Sequence, residues 1–205
     1  ASLERLASRA HPPAALRDLQ GRAPELIARV DAAKAAMRDA RFYDGRTGLH
    51  AFLTLAQSLE LASLPFHPAS FQFTSFQSSV RADSSRSLLH AVRDPDQNPF
   101  YDLFRLGIVR DIERELPDIV GISIPTLDQM LAAMTLGHLI KEAGIPSHVV
   151  IGGPHVSMLR EQLLRVPELF KLFDSALLFD GEGTMLRLAE TLDAGRDLAA
   201  VSYTH

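Results

Sequence analysis

The sequence predicts an α/β fold in which a parallel sheet is flanked by helices and preceded by a mainly helical N-terminal extension. Three observations carry that expectation. Two apolar runs, Asp118-Ile119-Val120-Gly121-Ile122 and His148-Val149-Val150-Ile151, are separated by a helix-compatible stretch, the pattern of a βαβ unit with strands buried on both faces. A third run, Ser175-Ala176-Leu177-Leu178-Phe179, follows further helical turns. Each run stops at small, polar or glycine residues: Ser123-Ile124-Pro125-Thr126, Gly152-Gly153-Pro154-His155 and Asp180-Gly181-Glu182-Gly183-Thr184. Strands alternating with helices form parallel sheets, and such sheets take ligands outside the carboxyl ends of their strands.

Over residues 13–42, Leu16, Leu19, Leu26, Ile27, Val30, Ala33 and Met37 recur at spacings of three and four, which predicts an amphipathic helix. Pro24 suits its first turn, where a missing N–H costs nothing. Asp44-Gly45 and Gly48 predict a break. Leu49, Phe52, Leu53, Leu55, Ala56, Leu59 and Leu61 predict a second helix, ending before Pro65. Residues 65–87 read as a long loop with one short strand or helix, because Phe66, Phe71, Phe73 and Phe76 alternate only briefly.

Asn98-Pro99 predicts a helix start, with Asn as the cap and Pro in the first turn. Phe100, Leu103, Phe104, Ile108, Ile112 and Leu116 supply its buried stripe, and Pro117 ends it. The next helix spans about Leu127–Ala143 and stops at Gly144. Helical turns are expected over Met158–Arg165 and Pro167–Leu172, and a last helix over Met185–Leu192, stopped near Gly195. The tail Ala199–Tyr203 reads as the start of a further element, which suggests a fragment.

Composition excludes several classes of function. The 205 residues carry a net charge of −4 with mixed signs, and no dense Lys/Arg stripe offers a nucleic-acid footprint. No apolar run approaches a membrane span, and no secretory h-region follows the N-terminus. There is no cysteine, so disulfides, zinc–thiolate sites and cysteine-held iron–sulfur clusters are excluded within this chain. A reducing, cytoplasmic setting is the default expectation.

The strand-end turns are the candidate site. Ser123 and Thr126 stand at a strand end beside a helix start, where they either cap the helix or face a ligand. Gln129, in the first turn of that helix, can reach the same crevice, and Asp128 complements the helix dipole. The pair Gly152-Gly153 removes two β-carbons, which admits either a flat ligand or an ordinary tight turn. His155 reads as a capping or surface group rather than as a metal ligand. Gly181-Glu182-Gly183 fits a bare turn or a backbone cradle for a polar group. No catalytic triad, carboxylate pair or phosphate loop is present, and the remaining histidines show no metal-ligand spacing.

Taken together, these pieces resemble the cobalamin-binding domain that precedes the catalytic barrel in cobalamin-dependent radical S-adenosylmethionine enzymes. The matching residues are Asn98-Pro99-Phe100, Pro117 to Ser123, Gln129, Val150 to His155 and Gly181-Glu182-Gly183. Ser123-Ile124-Pro125 stands where the wider cobalamin fold has a Ser-x-Leu turn, and residues 126–151 separate it from Gly152-Gly153, within the family's range. The resemblance implies a Rossmann-like (flavodoxin-like) domain over residues 98–205, with residues 1–97 as a helical segment. It implies cobalamin held by Ser123, Ile124, Pro125, Thr126, Gln129, Gly152, Gly153, Pro154, His155, Val156, Ser157, Gly181, Glu182 and Gly183, with no catalytic residue and no metal ligand. Ser123, Thr126 and Ser157 would bond propionamide or nucleotide-tail groups.

The family's cobalt-ligating Asp-x-His-x-x-Gly string is absent, which implies a cofactor without a protein histidine on cobalt, or a degenerate site. The family's first strand is not recognisable in residues 1–60. The cysteines of the radical half are also missing. The resemblance therefore implies that this chain is the cofactor portion, and that a separate catalytic domain binds the iron–sulfur cluster and S-adenosylmethionine. That parent would be a methyltransferase acting on a natural product or peptide. The competing expectation is a flavodoxin-like or receiver-like interaction module without cofactor, for which Asp180 is the available phospho-acceptor. A nucleotide-binding Rossmann domain is disfavoured because no Gly-x-Gly-x-x-Gly follows a strand.

Overall fold

A computed structural model of the chain describes residues 18–19, 21–80 and 84–196. Leu16 and the tail 199–203 lie outside the described residues. The chain divides into two compact units, Ala1–Ser79 and Val80–His205.

Among the described residues, the first unit holds a helical hairpin, α1 (Ala23–Met37) and α2 (Gly45–Ser63), joined by a 3-10 turn over Ala40–Tyr43. Pro24 lies in the first turn of α1, as expected. The expected break at Gly45 is instead the start of α2. Asp44 caps it, accepting from the Thr47 N–H at 3.2 Å. Gly48 lies within α2 because a β-carbon there would collide with the Phe42 backbone of the preceding turn. The shared core is made of small residues, Ala33, Ala36 and Ala51, with Met37 and Leu55 packed against it. Ile27, Leu49, Phe52 and Leu53, expected in buried stripes, are exposed instead. Small residues at the contact bring the helices close, so the larger neighbours fall off the seam. Residues 65–87 hold more than the expected loop: an antiparallel hairpin, β1 (Ser70–Phe71) with β2 (Phe76–Gln77), and the start of a helix.

That helix, α3 (Ser85–Ala91), opens the second unit, with Ser84 accepting from the Ser87 N–H. The helix expected over 100–116 is two helices, α4 (Phe100–Leu106) and α5 (Ile108–Glu115), divided at Gly107. The division resets the helical phase. Val109 becomes the buried residue, while Leu103, Ile108 and Leu116 are exposed. Asn98 does more than begin α4. It is 1% exposed, accepts from the Phe100 N–H, and donates to the Thr135 hydroxyl at 2.7 Å and to the Ala91 carbonyl. A buried amide with these partners fixes α3 and α4 against the later helix that carries Thr135.

The sheet is parallel, in the order β3 (Ile119–Ser123), β4 (His148–Gly152), β5 (Ser175–Ala176). Between β3 and β4 lie a 3-10 turn at Leu127–Gln129 and α6 (Met130–Glu142), whose Met130, Leu131, Met134, Leu139 and Ile140 are buried. After β4 come α7 (Pro154–Met158), α8 (Arg160–Leu164) and a 3-10 turn at Pro167–Lys171, and β5 leads to α9 (Glu182–Asp193). This is a Rossmann-like α/β arrangement of a parallel sheet flanked by helices.

Burial on both faces holds for β4 alone, whose Val149, Val150 and Ile151 are at most 1% exposed. Each such side chain contributes about 1.5–3 kcal/mol relative to exposure. The edge strands β3 and β5 are half-buried, with Gly121 and Ser123 open. The third strand is two residues long rather than five: its ladder ends at Ala176, one pair short of the end of β4 at Gly152, and Leu177, Leu178 and Phe179 lie beyond it. Among the described residues no helix is long and apolar enough to cross a membrane.

Candidate functional site

Register places the site. Gly121 pairs with Val150 and Ser123 with Gly152, while Val150 pairs with Ser175. Side chains alternate along strands, so Gly121, Ser123, Val150, Gly152 and, two residues past Ser175, Leu177 share one face of the sheet. Met185 of α9 covers that face: a β-carbon at Gly121 would lie 3.6 Å from Met185 Cε. Between them is a cleft of about 490 Å³ at the carboxyl ends of the strands, bordered also by Gly153, Phe179, Gly181 and Glu182. Among the described residues that line it, Glu182 is the only ionisable one.

The glycine pair divides into two roles. At Gly153, φ is +105°, and a β-carbon would stand 2.9–3.0 Å from the backbone N, C and O of Ile124. This residue serves the close approach of two turns. The Ile124 N–H donates to the Gly152 carbonyl at 2.8 Å, and the His155 N–H donates to the Ile124 carbonyl at 3.2 Å. Gly152 differs, since its β-carbon would meet Leu177 at 3.5–3.6 Å, ordinary van der Waals contact. Its missing side chain leaves room in the cleft.

Residues 90–189 match the B12 binding domain family. A protein of Pyrococcus horikoshii described as an uncharacterized methyltransferase is 33% identical over 100 residues, 49% of this chain and 21% of that protein. The chain thus aligns with about a fifth of the relative's length. No solved structure matches the chain.

The B12-binding match spans all three strand-end turns. Of the residues expected at the site, Ser123, Gly152, Gly153, Gly181 and Glu182 border the cleft. Pro125, Thr126, Gln129 and Pro154 are exposed but lie outside its lining, as does Gly183. Ile124 and Val156 are fully buried, so their side chains act as support. Thr126 precedes the 3-10 turn without a side-chain cap, which leaves its hydroxyl exposed and corrects the capping reading. Ser157 is engaged internally: its hydroxyl donates to the Gly153 carbonyl at 3.3 Å and accepts from the Phe179 N–H at 2.7 Å.

His155 is neither a cap nor a surface group. It is half-buried, and its Nε2 is buried without a hydrogen-bond partner. Such an atom costs about 1–3 kcal/mol unless something satisfies it. Among the described residues no cluster of three or more His, Asp or Glu could hold a metal ion.

Sequence reasoning missed Gly121, Ile122, Val150, Ile151, Leu177, Phe179 and Met185. The signal for Gly121, Val150 and Leu177 is the two-residue alternation from Ser123 and Gly152, which needs the strand register to be read. Met185 needs the packing of α9.

Proposed function

We propose that the second unit, residues 98–205 in particular, binds cobalamin as the cofactor portion of a radical S-adenosylmethionine enzyme, a methyltransferase acting on a natural product or peptide. The observation that carries the reading is the cleft itself, opened by the missing β-carbons of Gly121 and Gly152 and lined without a cation. An apolar, largely uncharged slot suits an aromatic base and its sugar rather than a phosphate, which needs a positive or amide-rich cradle. In this reading the slot takes the base end of the nucleotide tail, with Gly152, Ser123, Leu177 and Met185 as its walls, and the tail's phosphodiester stays outside it. Thr126, Pro125 and Gln129 on one exit turn, and Gly181 to Gly183 on another, then face the peripheral amides of the corrin.

No protein histidine ligates cobalt in this reading, and Ile124, Val156 and Ser157 hold the turns in place from beneath. The bound corrin supplies the methyl-carrying chemistry. This chain's residues orient the group and keep water from the tail. The iron–sulfur cluster and S-adenosylmethionine belong to a separate catalytic domain, and the setting is cytoplasmic.

The test is a visible-spectrum titration with hydroxocobalamin. The unaltered chain retains the corrinoid at micromolar protein. Gly152→Leu, which fills the slot at a position that tolerates a β-carbon, weakens retention at least thirtyfold, the loss of about 2 kcal/mol, while leaving the circular dichroism spectrum unchanged. Absence of any spectral change with the unaltered chain rejects the reading.

A further inference from the structure

The exit of β5 holds a residue whose conformation the fold alone does not explain. Phe179 has φ +60°, a left-handed backbone that is strained for a bulky side chain. A phenylalanine that secured such strain by burial would sit in the core, yet Phe179 is 57% exposed. Two contacts hold it in place. Its N–H donates to the Ser157 hydroxyl at 2.7 Å, and that hydroxyl donates to the Gly153 carbonyl, so the β4 and β5 exits are tied in one chain of hydrogen bonds. The Arg160 guanidinium lies over the ring, 5.8 Å from its centroid. Phe179 also borders the cleft, and with Arg160 on one side of the ring it is still 57% exposed, so part of its aromatic surface is open to a flat partner.

Strained, over-determined residues mark ligand clamps. We infer that Phe179 is a specificity-determining residue, a pre-positioned aromatic platform on which the aromatic base of the corrinoid's tail stacks. The inference rests on the cobalamin reading. It goes beyond that reading by assigning discrimination between base-bearing and base-lacking corrinoids to one side chain. Phe179 lies three residues beyond the end of the β5 ladder at Ala176, on the rim of the cleft. Aromatic–base stacking tolerates any base with a π-face, so the platform favours tails with an aromatic base over tails without one.

The experiment compares hydroxocobalamin with dicyanocobinamide, which lacks the base, on the full chain by spectral titration. The unaltered chain binds hydroxocobalamin more tightly. Phe179→Leu weakens hydroxocobalamin about tenfold and leaves dicyanocobinamide within twofold. Phe179→Gly gives the same selective loss, and because glycine adopts the left-handed backbone freely, its melting midpoint stays level or rises by a few degrees. Equal losses for both corrinoids, equal binding of both by the unaltered chain, or a lowered midpoint in Phe179→Gly (the mark of a packing residue) overturns the inference and leaves cobalamin binding standing. Failure of the unaltered chain to bind either corrinoid overturns both.

Discussion

The two ends of the same three strands are built on opposite terms. At the amino ends, polar groups are paired across segments. The Ser147 hydroxyl donates to the Pro117 carbonyl at 2.5 Å, the His148 N–H to the Asp118 carbonyl, and His148 Nε2 meets the Ser175 hydroxyl at 2.8 Å. Asp174 accepts from Lys141 Nζ at 2.5 Å and from the Val149 N–H at 2.7 Å. At the carboxyl ends stand a glycine at φ +105°, a phenylalanine at φ +60°, an unpartnered histidine nitrogen and a cleft. Strain is not confined to one end, since Leu116 before β3 also takes a left-handed backbone at φ +45° and a smaller cleft borders Pro117, Ser147 and Asp174. What sets the carboxyl ends apart is a cleft opened by glycines and a buried nitrogen without a partner. On the cobalamin reading the glycine-opened edge holds the ligand, and the edge with the paired polar groups serves stability.

The contrast breaks most severely at Gly153. Gly153→Ala places a β-carbon against Ile124 and forces an unfavourable φ, so we expect a loss of about 2–4 kcal/mol in urea unfolding, with corrinoid binding lost as the exit turns part. Gly152→Ala, one residue away, should cost less than about 1 kcal/mol, since its β-carbon meets only ordinary contacts. Equal costs for the two would erase the division within the pair.

A smaller effect is expected at the other edge. Asp174→Ala removes the Lys141 ion pair and an acceptor for the Val149 N–H, for about 1–3 kcal/mol. Asp174→Asn keeps an acceptor and loses only the partly exposed ion pair, for about 0.5–1 kcal/mol. Neither should change hydroxocobalamin affinity by more than twofold. A larger change in affinity would mean that the two edges are not separate in function.

The sheet, its parallel order and the positions of all three exit turns were legible because apolar runs bounded by Gly and Pro are local signals. What stayed hidden depends on partners distant in sequence. Gly153 and Gly152 look alike in the chain, and only the approach of Ile124 to one and Leu177 to the other separates them. Ser157 reads as a free hydroxyl until the β5 exit is seen to donate to it. Phe179 reads as the last residue of a buried strand, since nothing local announces a left-handed turn at a phenylalanine. The stripes of the first unit misled for a related reason: alanines form its seam, and periodicity weights the larger residues that fall outside.

The smallest effect is the pH dependence of stability, and it sharpens the contrast because it belongs to the satisfied edge and the helix behind it. Burial lowers the pKa of His148, with Asp174 opposing and Lys141 reinforcing the shift. Burial likewise lowers that of His138, against Glu142 and with Arg93. A histidine whose folded pKa lies below its unfolded value of about 6.5 is held neutral by the fold, so the unfolded chain binds more protons on acidification. Its stabilising contribution is complete above that value and is lost as pH falls through the folded pKa. Both rings remain partly open to water, so screening keeps the loss small, on the order of a degree or two in melting midpoint between pH 7.5 and 5. The double variant His138→Gln/His148→Gln, whose amides carry no proton to gain, should show a flatter acid limb than the unaltered chain. An unchanged slope would place the acid sensitivity in the carboxylates instead, and a midpoint that rises on acidification would contradict the sign derived for both rings.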